Sequence, residues 1–305
     1  VTGGAGYLGS ILVPTLLARG CAVTVVDNFL YGQTSLLDCC AYENFAIVRG
    51  DVRDERLMLP LLKKADVIMP LACLVGAPLC AQKPIEARSI NLDAILMLLK
   101  NASKSQKFIS PTTNSGYGVG QAGVFCTEET PMNPISLYGV LKVELEKALL
   151  DAGAVSLRLA TVCGVSPRMR LDLLVNDFTY RAVVDRFVVL FEAHFKRNYI
   201  HVRDVARAFC HALDHFETMK GQPYNVGLSD ANLSKMELCQ EIQKQIPDFT
   251  VMEAPIGKDP DQRNYVVSNA KIEATGYKTQ VSIQRAIAEL IKGYQIVRRN
   301  QHANV

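Results

Sequence analysis

Tyr138 and Lys142 stand four residues apart in "SLYGVLKVELEKAL", the stretch 136–149, a spacing that sends both side chains from one face of a helix. A phenol and an ammonium sharing a face can move a proton, because the cation stabilises the phenolate that takes it from a substrate hydroxyl. A packed aromatic beside a solvated lysine has the same spacing, so the pair alone decides nothing. Of the eleven tyrosines, Tyr138 is the one followed by lysine at that distance. A second constellation opens the chain: "GGAGYLG" sets Gly3, Gly6 and Gly9 as GxxGxxG directly before an apolar helical segment. Glycines in such a turn let backbone N–H groups approach a pyrophosphate, and the amino end of the helix adds favourable partial charge. Tyr7 and Leu8 lie in the same turn. Asp27 ends the next strand in "VVDN", followed by Asn28, where a carboxylate can accept hydrogen bonds from an adenosine ribose. Read alone, Asp27 is equally a turn residue after a strand. No Arg or Lys follows directly in "DNFLYG" to neutralise a 2′-phosphate, which favours NAD over NADP.

These residues need strands and helices to hold them. Apolar runs at 22–27, 45–48, 66–72, 107–110 and 154–160 read as buried strands, and segments of helical spacing lie between them. Strand–helix alternation predicts an α/β fold, a Rossmann-type doubly wound parallel sheet with helices on both faces. After Gly164 the rhythm breaks. A helix at "RDVARAFCHALDHFE", a strand at "PYNVG" and helices at 234–246 and 282–298 follow, the last two in a smaller α/β substrate domain. The expected boundaries are 1–165 with about 201–227 for the dinucleotide domain, and 166–200 with 228–305 for the substrate domain. Two prolines in "TPMNPIS" and a capping Ser136 place Tyr138 in the first turn of its helix, near the carboxyl ends of the strands.

Composition sets limits on partners. Thirty-three basic against thirty acidic residues leave a net charge of +3, which gives no reason to expect nucleic acid or an anionic membrane. No apolar run reaches the roughly 20 residues of a membrane span. The nine cysteines are scattered without a CxxC, so neither a disulfide framework nor a metal site is expected, and a cytoplasmic, reducing setting fits best. A glycine turn at the third residue needs a strand leading into it, so further residues are expected before Val1.

Taken in order, "TGGAGYLG", "VVDN", "GDVRD", "PLAC", "TTNSGYG", "YGVLK" and "RNYIHVRDVARA" resemble the extended short-chain dehydrogenase/reductase family of nucleotide-sugar epimerases and dehydratases. The resemblance spans nearly the whole chain. It implies that Asp51 and Val52 lie at the adenine, that Leu71 and Ala72 line the dinucleotide path, and that Asn91 stands near the cofactor. Strand-end packing or a helix-surface position explains those residues as well. It also implies that Lys142 bonds the nicotinamide ribose, and that Thr113, four residues before Tyr117-Gly118, bonds the reacting sugar oxygen. Thr112 and Ser115 are the neighbours with which Thr113 could be confused. With Lys142 and a cationic nicotinamide beside it, the Tyr138 pKa is expected to fall from about 10 toward neutrality.

The resemblance orders the possible reactions too. Dehydratases of this kind carry Asp-Glu after the threonine, and decarboxylating relatives place a glutamate nearby. Here the positions hold Asn114 and Ser115. A 4-epimerase needs no such carboxylate, so NAD-dependent epimerisation of a nucleotide-diphosphate sugar is the expected activity, through a transient 4-keto sugar. A 4-ketosugar reductase, a cysteine-assisted 3,5-epimerase using Cys126 and Cys163, and a non-catalytic NAD sensor are the alternatives. On the substrate side the resemblance points to Arg197 and Arg263 for the diphosphate, Asn176 for the nucleotide or phosphate, and Thr161 where some relatives have Asn. Arg168 and Arg170 read equally as a surface cluster. His211 and His215 lack a third metal ligand, Asp204 reads as a helix anchor, and helices 85–102 and 136–151 suggest a homodimer.

Overall fold

The computed structural model describes residues 1–121, 123–257 and 262–297 of the chain. Residues 258–261, which precede Arg263 in its motif, and the end of the last expected helix at 298 fall outside that set.

Strands Val23–Asp27 and Phe45–Arg49 pair in parallel, Val25 opposite Ile47. Lys107–Thr113 lies parallel to Val67–Ile68 on one side and to Val155–Leu159 on the other, and Pro223–Val226 follows beyond Val155–Leu159. Thr2 joins these two groups into one sheet, bridging Val26 and Pro70 in parallel. The reason the strands read as continuous apolar runs is visible in the packing. Val25 and Ile109 enter a core shared with helices Gly9–Ala18 and Val202–Asp214, through Leu12, Leu16, Val205 and Phe209. Their chain neighbours Val26 and Phe108 enter the opposite core, with Met58, Leu98, Leu141 and Leu145. Successive side chains point to opposite faces, and both faces are covered.

The expected strands and helices are all present, and the α/β architecture is as read. What the sequence did not predict is a π-helical turn, Ser89–Asp93, between helices Pro84–Arg88 and Ala94–Asn101. After Leu159 the chain builds a second assembly. Thr161–Cys163, Lys196–His201 and Asn232–Ser234 form a mixed three-stranded sheet. A parallel pair, Phe187–Leu190 with Thr250–Glu253, stands apart from it. Helices Leu174–Val184, Lys235–Gln243 and Ile283–Ile296 pack a separate core around Phe178, Tyr199, Ile242 and Tyr294. No helix among the described residues is long and apolar enough to cross a membrane.

Candidate active site

The glycine turn is built by close approach. Gly3 has φ +65°, and a Cβ there would sit 2.6 Å from the Ala72 nitrogen; one at Gly9 would sit 2.4 Å from the Gly4 oxygen. Only glycine tolerates both. The helix that follows opens at Leu8 with no side-chain cap and no acidic residue in its first turn, so its amino end is left free for an anion. Asp27 is buried and holds the turn in shape: its carboxylate accepts from the Ala5 N–H at 2.9 Å and the Phe29 N–H at 2.8 Å. Asn28 is exposed and accepts from the Leu30 N–H at 3.0 Å. Gly6 donates to the Gly3 carbonyl at 3.1 Å.

The adjoining wall is stiffened from behind. Leu71 and Ala72 donate their N–H groups to the Thr2 carbonyl and hydroxyl, at 3.0 and 3.3 Å. Asn91 is fully buried in the π turn rather than on a helix surface. Its side chain grips both backbone groups of Leu74, accepting from the N–H and donating to the carbonyl, each at 2.8 Å. A π turn rotates one position inward, which gives the asparagine this reach. Val52 is buried, and Asp51 makes a two-pronged ion pair with Arg53, which holds the carboxyl below its ordinary range.

Tyr138 occupies the first turn of Leu137–Asp151, and Ser136 caps that helix as read, accepting from the Gly139 N–H at 3.2 Å. The half-buried phenol lies within electrostatic reach of three other segments: the Arg170 and Arg263 guanidiniums, which favour its ionisation, and the Cys73 and Cys80 thiols, which oppose it. In the protein alone the phenol moves the opposite way from the fall expected beside a cationic nicotinamide. Burial pushes the phenol above its ordinary value, and Arg170 and Arg263 only oppose that rise. Lys142 is buried and donates to the Pro111 carbonyl at 3.1 Å, so its amine is held by the strand end, and it also bears on the Cys73 thiol. Among the described residues no hydrogen bond joins Tyr138 to Lys142 or Thr113.

The two threonines separate cleanly. Thr112 points into the interior, its hydroxyl 2.9 Å from Glu146 and 2.8 Å from Ser156. Thr113 ends the same strand half-buried, donates to the Ser115 hydroxyl at 2.9 Å and accepts from the Ser115 N–H at 3.1 Å. Arg263 donates in turn to the Ser115 hydroxyl, so its guanidinium reaches the threonine's neighbour. Asn114 between them is buried, with neither side-chain polar atom partnered among the described residues.

The loop after Thr161–Cys163 and the first turn of helix Leu174–Val184 complete the site. Asn176 is fully buried: it accepts from the Gly164 N–H at 3.0 Å and donates to the Arg170 carbonyl at 2.8 Å. Tyr7 turns its phenol away from the glycine turn to donate to the Gly164 carbonyl at 2.7 Å. Arg168 and Arg170 are not a surface pair. Arg168 is buried over the Tyr31 ring at 4.3 Å, and Arg170 is paired with Asp172. Arg197 is buried, 5.8 Å from the Tyr265 centroid, and Thr161 is half-buried in register with Tyr199. Sequence reasoning passes over Cys73, although it closes the motif "PLAC", and reads Arg170 only in a cluster that a surface position explains equally well. Asp204 anchors the later chain, accepting from the Gln280 and Val281 N–H groups, and His211 stacks on His215 while bonding Thr275.

Comparison with known proteins places this arrangement. The chain is 28% identical to UDP-glucuronic acid decarboxylase 2 of Arabidopsis thaliana, over 97% of this chain and 67% of that protein. It is also 28% identical to UDP-glucose 4-epimerase of Corynebacterium glutamicum, over 79% of each. Among solved structures, UDP-glucose 4-epimerase of Thermus thermophilus in complex with NAD superimposes with a TM-score of 0.82 at 25% identity, over 96% of this chain and 97% of that one. UDP-glucuronic acid 4-epimerase from Bacillus cereus shares the fold, with a TM-score of 0.86 at 22% identity over 97% and 98%. Residues 1–227 match the NAD dependent epimerase/dehydratase family, and the chain belongs to that family of enzymes.

Proposed function

We propose that the protein is a nucleotide-diphosphate-sugar epimerase acting at C4. The observation that carries this reading is the strand end Thr113–Ser115. It has the hydroxyl expected beside Tyr138 but no carboxylate after it, since Asn114 and Ser115 occupy those positions. Relatives include decarboxylases as well as epimerases, so the choice between reactions rests on these side chains.

The glycine turn, the uncapped helix end and Asp27 fit a dinucleotide, as do the close contacts that forbid a Cβ at Gly3 and Gly9. In this reading Gly3, Gly6, Tyr7 and Leu8 frame the pyrophosphate, Asp27 and Asn28 the ribose, and Asp51 and Val52 the adenine. Leu71, Ala72 and Asn91 shape the nicotinamide side. NAD held by these residues would supply the hydride acceptor and donor for C4. Tyr138 accepts the C4 hydroxyl proton and gives it back after the keto sugar has turned over. Thr113 holds the reacting oxygen, and Lys142 orients the ribose. Burial raises the phenol in the protein alone, so its ionisation would draw on the Arg170 and Arg263 cations, which oppose that rise, and on charge arriving with the ligands. Arg197, Arg263, Asn176 and Thr161 belong to the nucleotide-sugar side of the two-domain division proposed for the chain.

The test is incubation of purified protein with UDP-, dTDP-, GDP- and CDP-sugars, including uronates, with products resolved by NMR. Epimer formation without net NADH supports the reading. Release of carbon dioxide, loss of water from the sugar, or stoichiometric NADH overturns it. A cytoplasmic homodimer completes the proposal: Ile85 and Val140 are exposed apolar residues on helices Pro84–Arg88 and Leu137–Asp151. Sedimentation equilibrium checks the assembly.

A further inference from the structure

Tyr7 joins the two ligand sites. The glycine turn and the loop 164–176 lie 157 residues apart at the Tyr7–Gly164 contact, yet the described structure locks them with buried hydrogen bonds. The Tyr7 hydroxyl donates to the Gly164 carbonyl at 2.7 Å and accepts from Asn176 Nδ2 at 3.4 Å. The Tyr7 carbonyl accepts from Ser166 Oγ at 2.7 Å, and Ser166 Oγ lies 2.7 Å from Ser10 Oγ on the first helix. Neither side of this staple can yield freely. Gly164 has φ +108°, and a Cβ there would fall 2.2 Å from the His201 ring. Asn176 is fixed through its own carbonyl, which accepts from Tyr294 at 2.8 Å. The loop so held carries Arg168, buried over the Tyr31 ring, and Arg170, paired with Asp172.

We infer that Tyr7 is a positioning residue that couples dinucleotide binding at the glycine turn to nucleotide-diphosphate binding at the loop 164–176. The inference rests on the proposed function for the identity of the two ligands. Its physical content is separate: residues 5–8 cannot settle on a pyrophosphate without setting Gly164 and Ser166, because their hydrogen bonds are buried and no solvent replaces them. Each ligand then favours the conformation that the other needs, and the effect is reciprocal.

Calorimetric titration of the full chain with NAD, alone and with saturating UDP, dTDP or GDP in turn, reads this coupling. Wild type is expected to bind NAD about 5- to 100-fold more tightly with the nucleoside diphosphate present. Tyr7→Phe keeps the ring and removes the hydroxyl. Whatever its effect on NAD affinity itself, the ratio with and without diphosphate is expected to fall below about twofold, with Ser166→Ala in between. A merely structural hydroxyl would change stability and leave that ratio alone. An unchanged ratio in Tyr7→Phe overturns the inference. If that variant does not fold by circular dichroism, an unchanged ratio in Ser166→Ala overturns it instead. Wild type that binds both ligands independently removes the coupling and spares the proposed function. Wild type that binds neither removes both.

Discussion

Helix Leu137–Asp151 carries two chemistries on one rod. At its first turn Tyr138 is half-buried, has no hydrogen-bond partner among the described residues, and faces cysteines and arginines from other segments. Deeper in the same helix, Glu146 is buried and fully engaged: it accepts from the hydroxyls of Thr112 and Ser156 and from the Arg158 guanidinium at 2.7 Å. Arg158 passes the chain on to Tyr117 at 2.9 Å, and Tyr117 donates to Asn225 on the last sheet strand at 2.7 Å. The difference teaches where rigidity and reactivity are kept. A network with every member satisfied fixes the helix on the sheet. The under-partnered phenol at its end can then be aimed without being consumed by protein contacts.

The comparison can be broken from either end. The largest effect is expected from Tyr138→Phe, which should lower kcat by about 10²–10⁴ while the melting temperature stays near that of wild type. A variant that retains turnover would remove Tyr138 from the chemistry. Glu146→Ala should do the reverse, losing about 3–5 kcal/mol in urea unfolding because the Arg158 charge is left buried and alone. Equal stability in that variant would mean that the network does not hold the helix.

Acid sharpens the contrast through a third buried group. His201, fully buried, accepts from the Arg203 N–H through Nδ1, and burial lowers its pKa to about 4. Because the unfolded chain binds the proton near pH 6.5, stability should be intact above that value and fall as pH drops toward 4, by roughly 3 kcal/mol in all. Denaturation midpoints between pH 7 and 4 check the slope, which His201→Gln should flatten. The smallest effect belongs to the exposed pair Arg88–Glu144, at 3.2 Å. Its loss should change stability by only about 0.2–1 kcal/mol, less in high salt.

Much of this was legible in the chain itself, for identifiable reasons. The inner sheet strands announced themselves because they are covered on both faces, so Val25 and Val26 are both apolar although they point in opposite directions, whereas the edge strand Phe45–Arg49 leaves Ile47 exposed. The glycine turn was legible because steric exclusion leaves glycine as the one residue that fits. The Glu146–Arg158 pair was not, since the partners sit on different elements and neither has a local signature. The inward turn of Asn91 depends on a π turn that no residue type encodes. Arg168 looked like surface because nothing in "SPRMR" foretells the Tyr31 ring against which it is buried. The acidity expected of Tyr138 belongs to the site with a cationic nicotinamide bound; in the protein alone burial dominates the phenol, and the Lys142 amine serves the Pro111 carbonyl.

The return of the chain to its first sheet has a consequence for how such a protein can be made. Pro223–Val226 pairs beside Val155–Leu159, Tyr224 opposite Leu157, only after a first excursion through the second assembly, Thr161 to His201. A gene fragment stopped near Gly164 would therefore lack the outermost strand and the Val205 and Phe209 side chains of one core, exposing an unpaired sheet edge. Neither half is an heirloom that evolution could lend out alone: fusion, duplication or splitting of this gene must respect a seam that the polypeptide crosses at least three times.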